Sequence, residues 1–259
     1  MMAEMENLSK ISVTILAKNA QAHLGECLEA LRDFDEVILL DNQSTDSTRA
    51  IAGSFPNVKI FENEFIGFGP LKNLALDYAK NNWILSIDAD EVLEKNAREA
   101  IATLLLDPKC IYAFSRKNLY KGEWIRACGW NPDYVKRLFH RGATRFNQNQ
   151  VHESVIVPDG CCVEKLNAHI RHYAFESIDM LLGKLHRYSS MWADEKSRIG
   201  KKASVFGALG RFVWVFVKDY FFRKGFLYGY KGFIIAYCNA DGAFFKYMKL
   251  YERNKGSQS

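Results

Sequence analysis

The chain has 259 residues, a formal net charge of +5 and an apolar fraction of 48%. Those values exclude wholesale disorder and allow one large α/β domain, or a domain with a tail. No block of like charge resembles a nucleic-acid arm, so no nucleic-acid partner is expected. The start, MMAEMENLSKIS, has no apolar h-region, and no uncharged apolar run approaches the ~20 residues of a spanning helix, so a cytosolic protein is expected. The six cysteines include adjacent Cys161 and Cys162 but no CxxC, and reduced thiols are expected, not a disulfide framework.

Along the chain, ISVTIL (Ile11 to Leu16), EVILLD (Glu36 to Asp41), VKIFE (Val58 to Glu62) and WILSID (Trp83 to Asp88) are short apolar, partly β-branched runs predicted as strands. Between the first two, Leu24, Cys27, Leu28 and Leu31 follow the i, i+3, i+4, i+7 stripe of a helix. Ser44 to Ser47 supply caps for a second helix, and Leu71, Leu74, Ala75 and Tyr78 repeat the stripe in a third. A fourth helix is predicted from about Leu93 to Leu106, before Pro108. Strands recurring about every 25 residues, with helices between them, predict βαβ units and a largely parallel sheet that binds ligands at its carboxyl edge. From Ile111 to about Arg171 the pattern turns polar-aromatic and reads as short antiparallel strands with long loops. From Ile178 onward it reads as helix, rich in aromatics and bases. The expected organisation is 1–110, an α/β half; 111–175, an acceptor and catalytic region; and 176–259, a helical tail on one continuous domain.

The stretch WILSIDADEV runs a hydrophobic strand into Asp88, Asp90 and Glu91. Acids also favour helix starts, so these three alone have a structural explanation. Asp41, however, ends the second strand, and Ala17, Lys18 and Asn19 follow the first, on the same sheet edge. Three polar clusters on one edge are hard to explain as caps. Lys72 has its own plain reading as a solvated helix lysine, and Asp41 as a turn-former before NQSTD. His169 and His172 in HIRHY have a metal-like spacing, but on a strand or loop a structural or acceptor-binding role is the better reading.

The combination of ISVTILAKN, LLDNQSTDST, GFGPLKNLAL, WILSIDADE and QVHE resembles the family 2 glycosyltransferases of the GT-A fold. Within them it is most similar to the bacterial branch that extends the lipopolysaccharide core, near the β-1,4-glucosyltransferases. The resemblance implies an α/β, Rossmann-like, mainly parallel sheet with flanking helices, an irregular acceptor region and a helical C-terminal tail. It implies inverting, metal-dependent transfer of a hexose or N-acetylhexosamine from a UDP-sugar to the core or a related lipid-linked saccharide. Carried over by position, Ala17, Lys18 and Asn19 cradle the nucleobase and ribose. Asp41 accepts the uracil N3–H, as an acceptor-only carboxylate can; Asn42 stands where many relatives have a second acid. Lys72 lies near the donor phosphates. Asp88 and Asp90 form the DxD that holds Mg²⁺ or Mn²⁺, their carboxylates on one side of an extended segment. Glu91 is a helix-start acid or a partner behind them. Glu153 is the general base, with His152 orienting it or binding acceptor, and Asp133 in NPDY is the fallback. A polyprenyl-phosphate glycosyltransferase and a non-catalytic nucleotide-sugar binder are the other readings.

The tail carries nine Lys/Arg against three Asp/Glu from Phe206 to Lys255. With Phe212, Trp214, Phe216, Tyr220, Phe221 and Phe222 among them, it reads as a helical cap whose outer face suits a membrane interface. That implies peripheral attachment to the cytoplasmic face of the inner membrane.

Overall fold

Strand β1 (Ile11–Ala17) is buried along almost all its length, as a central strand of a parallel sheet must be. A computed structural model, which describes residues 7–150 and 153–256, places β2 (Glu36–Asp41) on one side of it. Parallel pairing continues from β2 to β3 (Val58–Glu62), and β4 (Trp83–Asp88) pairs parallel on the other side of β1. Helices α1 (Leu24–Glu29), α2 (Thr48–Gly53) and α3 (Phe68–Tyr78) make the connections. The chain thus runs out to β3 and returns to the far side of β1, which puts a topological switch point between β1 and β4.

The expected helix from Leu93 to Leu106 is shorter. Glu91–Leu93 forms a three-residue strand, β5, fully buried, and α4 spans Lys95–Thr103. Beyond it, β6 (Cys110–Tyr120), β7 (Glu123–Trp124), β8 (Tyr134–His140) and β9 (Cys162–Phe175) complete a nine-stranded sheet. Its order is β3-β2-β1-β4-β8-β6-β9-β5, with β7 on β6. The antiparallel expectation holds for the pairs β4 with β8, β6 with β8 and β5 with β9. The expectation of short strands does not, since β6 has 11 residues and β9 has 14. The polar run Ser115 to Lys117 continues β6: Ser115 pairs with Tyr134 of β8, Arg116 N donates to the Asp133 carbonyl, and Arg116 and Lys117 reach the acids Glu91 and Glu94. The expectation of reduced thiols is also corrected: Cys110 and Cys162, which begin β6 and β9, form a disulfide with a Cα–Cα distance of 4.7 Å.

The chain divides into two compact units, Met1–Lys117 with Asp133–His172, and Asn118–Pro132 with Tyr173–Ser259. Residues 111–175 are therefore shared between them. The second unit is dominated by α5 (Ile178–Arg198), α6 (Val205–Val217) and α7 (Gly229–Gly256). Ser177 and Ser204 cap α5 and α6 by accepting from Met180 N and Gly207 N. A π-helical turn, Lys218–Phe222, follows α6. Its buried Asp219 accepts from Arg223 and from Asn239 of α7.

In the first unit, Glu36 at the base of β2 is 2% exposed and accepts from Ser12 Oγ at 2.6 Å, Lys59 Nζ at 2.8 Å and Lys80 N at 2.6 Å. Burial alone would raise its pKa, but the hydrogen bonds from Lys59 and Ser12 outweigh this and hold it below the ordinary glutamate value. A depressed folded pKa means that the stabilisation is present above the unfolded pKa and is lost as pH falls through the folded one. Glu36→Gln should therefore lower stability by about 2 kcal/mol near neutral pH. Denaturant titrations should show the gap from wild type closing as the pH drops below the ordinary glutamate range.

Candidate active site

The register of the parallel strands sets the site. Ala17 lies opposite Asp41, and Leu16 opposite Asp88, so the three strand ends finish within one residue of each other. Past β1 the backbone of Asn19 turns left-handed (φ 50°), an Asn-tolerant conformation, and its N–H donates to Ser44 Oγ at 2.9 Å. Its own Oδ1 accepts from Thr45 N at 2.9 Å, which ties the β1 end to the β2 end, while Lys18 is exposed. Asp41 is wholly buried. Its Oδ2 accepts from Ser44 N at 3.1 Å and Arg49 Nε at 2.6 Å, whereas its Oδ1 has no hydrogen-bond partner among the described residues. Asn42 is turned away to the Asn63 carbonyl.

Asp88 ends β4, but Ala89 and Asp90 form a tight turn into β5, not an extended segment. The two carboxylates consequently meet different partners. Asp88 Oδ1 is 2.8 Å from Lys72 Nζ, and its Oδ2 is 2.5 Å from Arg137 Nη2. Burial alone would raise the Asp88 pKa. The charges of Arg137 and then Lys72 outweigh it and hold the carboxyl far below the usual range. Asp90 is 47% exposed, with His172 Nε2 at 3.5 Å from Oδ2. His169, three residues earlier on β9, falls on the opposite face of the strand, so the two histidines do not act as a pair.

Glu91 is not a helix-start acid. It is fully buried in β5, accepting from Arg137 Nη2 at 2.5 Å and Arg116 Nη1 at 3.3 Å, while its Oε2 accepts from Asp88 N at 3.1 Å. Arg116 also holds Asp133 through Nε and Nη2 at 2.9 and 2.8 Å. At the other end Lys72 bonds Glu153 Oε1 at 3.1 Å. The result is one line of alternating charge: Glu153, Lys72, Asp88, Arg137, Glu91, Arg116, Asp133. Both candidate bases terminate it, at opposite ends. His152 lies outside the described residues.

Local sequence explains how Glu153 and Lys72 come together. Phe68 N and Gly69 N, at the start of α3, donate to the Gln150 and Asn149 carbonyls, and a Cβ at Gly69 would collide with the Asn147 carbonyl oxygen. Buried Asn73 clamps the Phe146 backbone from both sides, at 2.9 and 3.0 Å. The GFGPLKN motif therefore seats the loop that carries Glu153. A cavity of about 280 Å³ opens here, lined by Lys72, Asp88, Arg116, Arg137 and Glu153.

The sequence reading missed Arg116 and Arg137. The available signal was a base inside each of the runs RKNLY and VKRLF: a buried base demands an acid, and Glu91, expected as a helix-start acid or a partner behind the two aspartates, is the one that answers both.

With this geometry in place, the comparisons are informative. The family model for glycosyl transferase family 2 matches residues 12–175, and the chain belongs to that family. It is a glycosyltransferase. An uncharacterized glycosyltransferase of Rickettsia felis is 30% identical over 95% of this chain and 90% of its own length. The lipopolysaccharide core biosynthesis glycosyltransferase LpsC of Rhizobium meliloti is 29% identical over 94% of this chain and 93% of its own. The crystal structure of S. aureus TarS 1-349 in complex with UDP superposes with a TM-score of 0.49 at 15% identity, covering 96% of this chain and 92% of that one.

Arg137 is 7% exposed at its side chain, and Arg137→Met strands Asp88 and Glu91 without their shared cation. Removing one member of a buried ion pair costs roughly 3 to 5 kcal/mol. Thermal melts should show that loss, and Arg137→Met combined with Glu91→Leu should recover part of it.

Proposed function

We propose that the protein transfers a sugar from a UDP-sugar, with inversion and with a divalent cation, to a hydroxyl of a lipid-linked saccharide of the lipopolysaccharide-core type. The observation that carries this reading is Lys72, ion-paired at once to Asp88 and Glu153 in a polar cavity at the sheet's carboxyl edge. A donor diphosphate brings negative charge to that place, and a buried lysine already poised between two acids can turn to it. Asp41 Oδ1, a buried acceptor without a partner, suits a uracil N3–H, with the Asn19 and Ser44 turns forming the cradle. Arg49, which bridges Asp41 Oδ2 and Glu62, leaves Oδ1 unengaged. The LpsC name supports the acceptor class.

Among the described residues no group of three or more His, Cys, Asp and Glu side chains could hold a metal. The donor set nevertheless fits a cation that takes most of its oxygens from the diphosphate. Asp90 would supply a hard, half-exposed carboxylate oxygen, with His172 beside it, while both Asp88 oxygens are taken by Lys72 and Arg137. When bound, Mg²⁺ or Mn²⁺ neutralises charge on the departing diphosphate. Glu153 removes the acceptor hydroxyl's proton as that oxygen attacks the anomeric carbon from the face opposite the leaving group. Asp133 is the weaker candidate, because two Arg116 nitrogens converge on one of its oxygens.

No helix among the described residues is long and apolar enough to cross a membrane. The second unit instead exposes Phe206 at 87%, Phe222 at 69%, Leu227 at 65% and Trp214 at 59%. Ring contacts run from Trp214 to Phe222, and from Phe216 through Tyr220 to Phe226 and Phe233. Apolar rings of this kind, interspersed with Lys218, Arg223 and Lys224, suit a lipid–water interface.

Two tests follow. Glu153→Gln should lower kcat about 10²- to 10⁴-fold with UDP-sugar affinity unchanged. Asp90→Asn should instead raise the Mn²⁺ concentration needed for donor binding. A UDP-sugar screen with core oligosaccharide and with polyprenyl phosphate as acceptors decides the acceptor class; a Glu153→Gln enzyme that turns over normally while Asp133→Asn is dead would reverse the base assignment. For the surface, the wild type should sediment with anionic lipid vesicles, less so at high salt. Phe222→Glu with Leu227→Glu should leave it in the supernatant; unchanged sedimentation rejects this face.

A further inference from the structure

A groove of about 610 Å³ lies wholly within the second unit, between the segment 126–132 and the turns that follow α6. Three bases line it, Arg126, Arg223 and Lys224, and among the described residues no Asp or Glu does. The three are not equally available. Arg223 donates to Asp219 Oδ1 at 3.0 Å, so its charge is answered inside the fold. Arg126 stacks 3.9 Å over the Trp124 ring, a contact that orients the guanidinium plane without cancelling its charge. The Lys224 side chain has no hydrogen bond or ion pair among the described residues. Glu123, three residues before Arg126, is taken up by Lys231 at 2.7 Å. Two positive charges, on Arg126 and Lys224, therefore line the groove without an acid partner among the described residues.

The backbone fixes this arrangement. Cys128 N donates to the Arg223 carbonyl and Arg126 N to Tyr228 Oη, both at 3.1 Å, which ties one wall to the other. Gly129 (φ 79°) admits Arg223, since a Cβ there would collide with its guanidinium. Lys224 is itself left-handed (φ 59°), at the junction between the π-helical turn and a 3-10 turn, Gly225–Tyr228.

Phe222 and Leu227 line the same groove and stand 69% and 65% exposed. A water-borne anion would answer the two bases and leave those side chains in water. An apolar partner would cover the side chains and leave the bases. A bilayer answers both, because its headgroup phosphates lie just outside its acyl chains. We propose that this groove seats the phosphate of an anionic membrane phospholipid, with Phe222 and Leu227 entering the interface beside it. The Arg126 fork suits two phosphate oxygens, and Lys224 adds a point charge. This rests on the lipid-surface reading given above and adds the partner's chemistry: a phosphodiester headgroup without an ammonium of its own, which would bring like charge to both bases.

The test sediments the full-length protein with vesicles of phosphatidylcholine alone, and of phosphatidylcholine mixed with phosphatidylglycerol or with phosphatidylserine at equal mole fraction. The two mixtures carry the same net surface charge, but the serine headgroup adds an ammonium. Phosphatidylglycerol vesicles should bind about fivefold more tightly than phosphatidylserine ones, the scale of one base at such a surface. Lys224→Gln and Arg126→Gln should each weaken phosphatidylglycerol binding by about that factor and erase the preference. Lys202→Gln, at an exposed base outside the groove, removes equal charge and should keep the preference. Matching thermal melts exclude misfolding.

Equal binding of the wild type to both mixtures would overturn the headgroup site, as would groove variants that behave like Lys202→Gln. Displacement from phosphatidylglycerol vesicles by inorganic phosphate, at an ionic strength matched with chloride, would reassign the groove to a free anion. If the protein sediments with no vesicle, the lipid-surface reading falls as well. If it sediments with both mixtures alike and Phe222→Glu with Leu227→Glu releases it, the lipid surface stands and only the headgroup site is rejected.

Discussion

One Arg137 nitrogen, Nη2, donates to Asp88 and to Glu91, and the candidate active site is built around that double contact. An acid at the tip of a buried strand is costly unless it is paired, and Asp88 stands beside a second acid that is fully buried. Burial would lower the Arg137 pKa, but the charges of Asp88 and Glu91 outweigh it and raise it above the ordinary arginine value, so the cation is permanent. From this centre the pairing extends through Lys72 to Glu153 and through Arg116 to Asp133. Four acids alternate with three bases along the line, so the site is nearly balanced yet retains an excess of negative charge. Even Cys27, packed beneath the Asp88 carbonyl, registers this: burial and then the nearby Glu91 push its thiol well above the usual value.

Much of the donor half was legible because its signals are local. Glu36–Asp41 and Trp83–Asp88 begin and end where their apolar runs do, since a central parallel strand must be apolar on both faces, and Val58–Glu62, at the sheet edge, matches its run as well. The strand-end residues share an edge because parallel connections force it. What was not legible depended on non-local pairing. β5 is only three residues long and exists by its pairing with Ile170 to His172. Ser115 to Lys117 break the apolar pattern of β6, and backbone pairing with Asp133 and Tyr134, together with the distant acid partners of Arg116 and Lys117, keeps that segment extended. The turn Asp88-Ala89-Asp90 illustrates the same limit: spacing alone could not show that Asp88 faces a lysine and an arginine while Asp90 faces a histidine.

The same logic separates the two carboxylates that terminate the charge line. Asp133 is held by Arg116, whose other partner is the buried Glu91, so that arrangement has little reason to change when a donor arrives. Glu153 shares Lys72 with Asp88, and Lys72 is the base nearest the place proposed for the diphosphate. A lysine that turns toward phosphate leaves Glu153 without its counter-charge. On the reading proposed above, a donor that draws Lys72 away would release the Glu153 carboxylate from its ion pair. Gly69 and Asn73 make the coupling geometric, since they fix the loop bearing Glu153 to the helix that bears Lys72. The coupling between the two acids rests on one short motif, GFGPLKN, in which the glycine admits the loop, the lysine links Asp88 to Glu153 and the asparagine locks the backbone of Phe146.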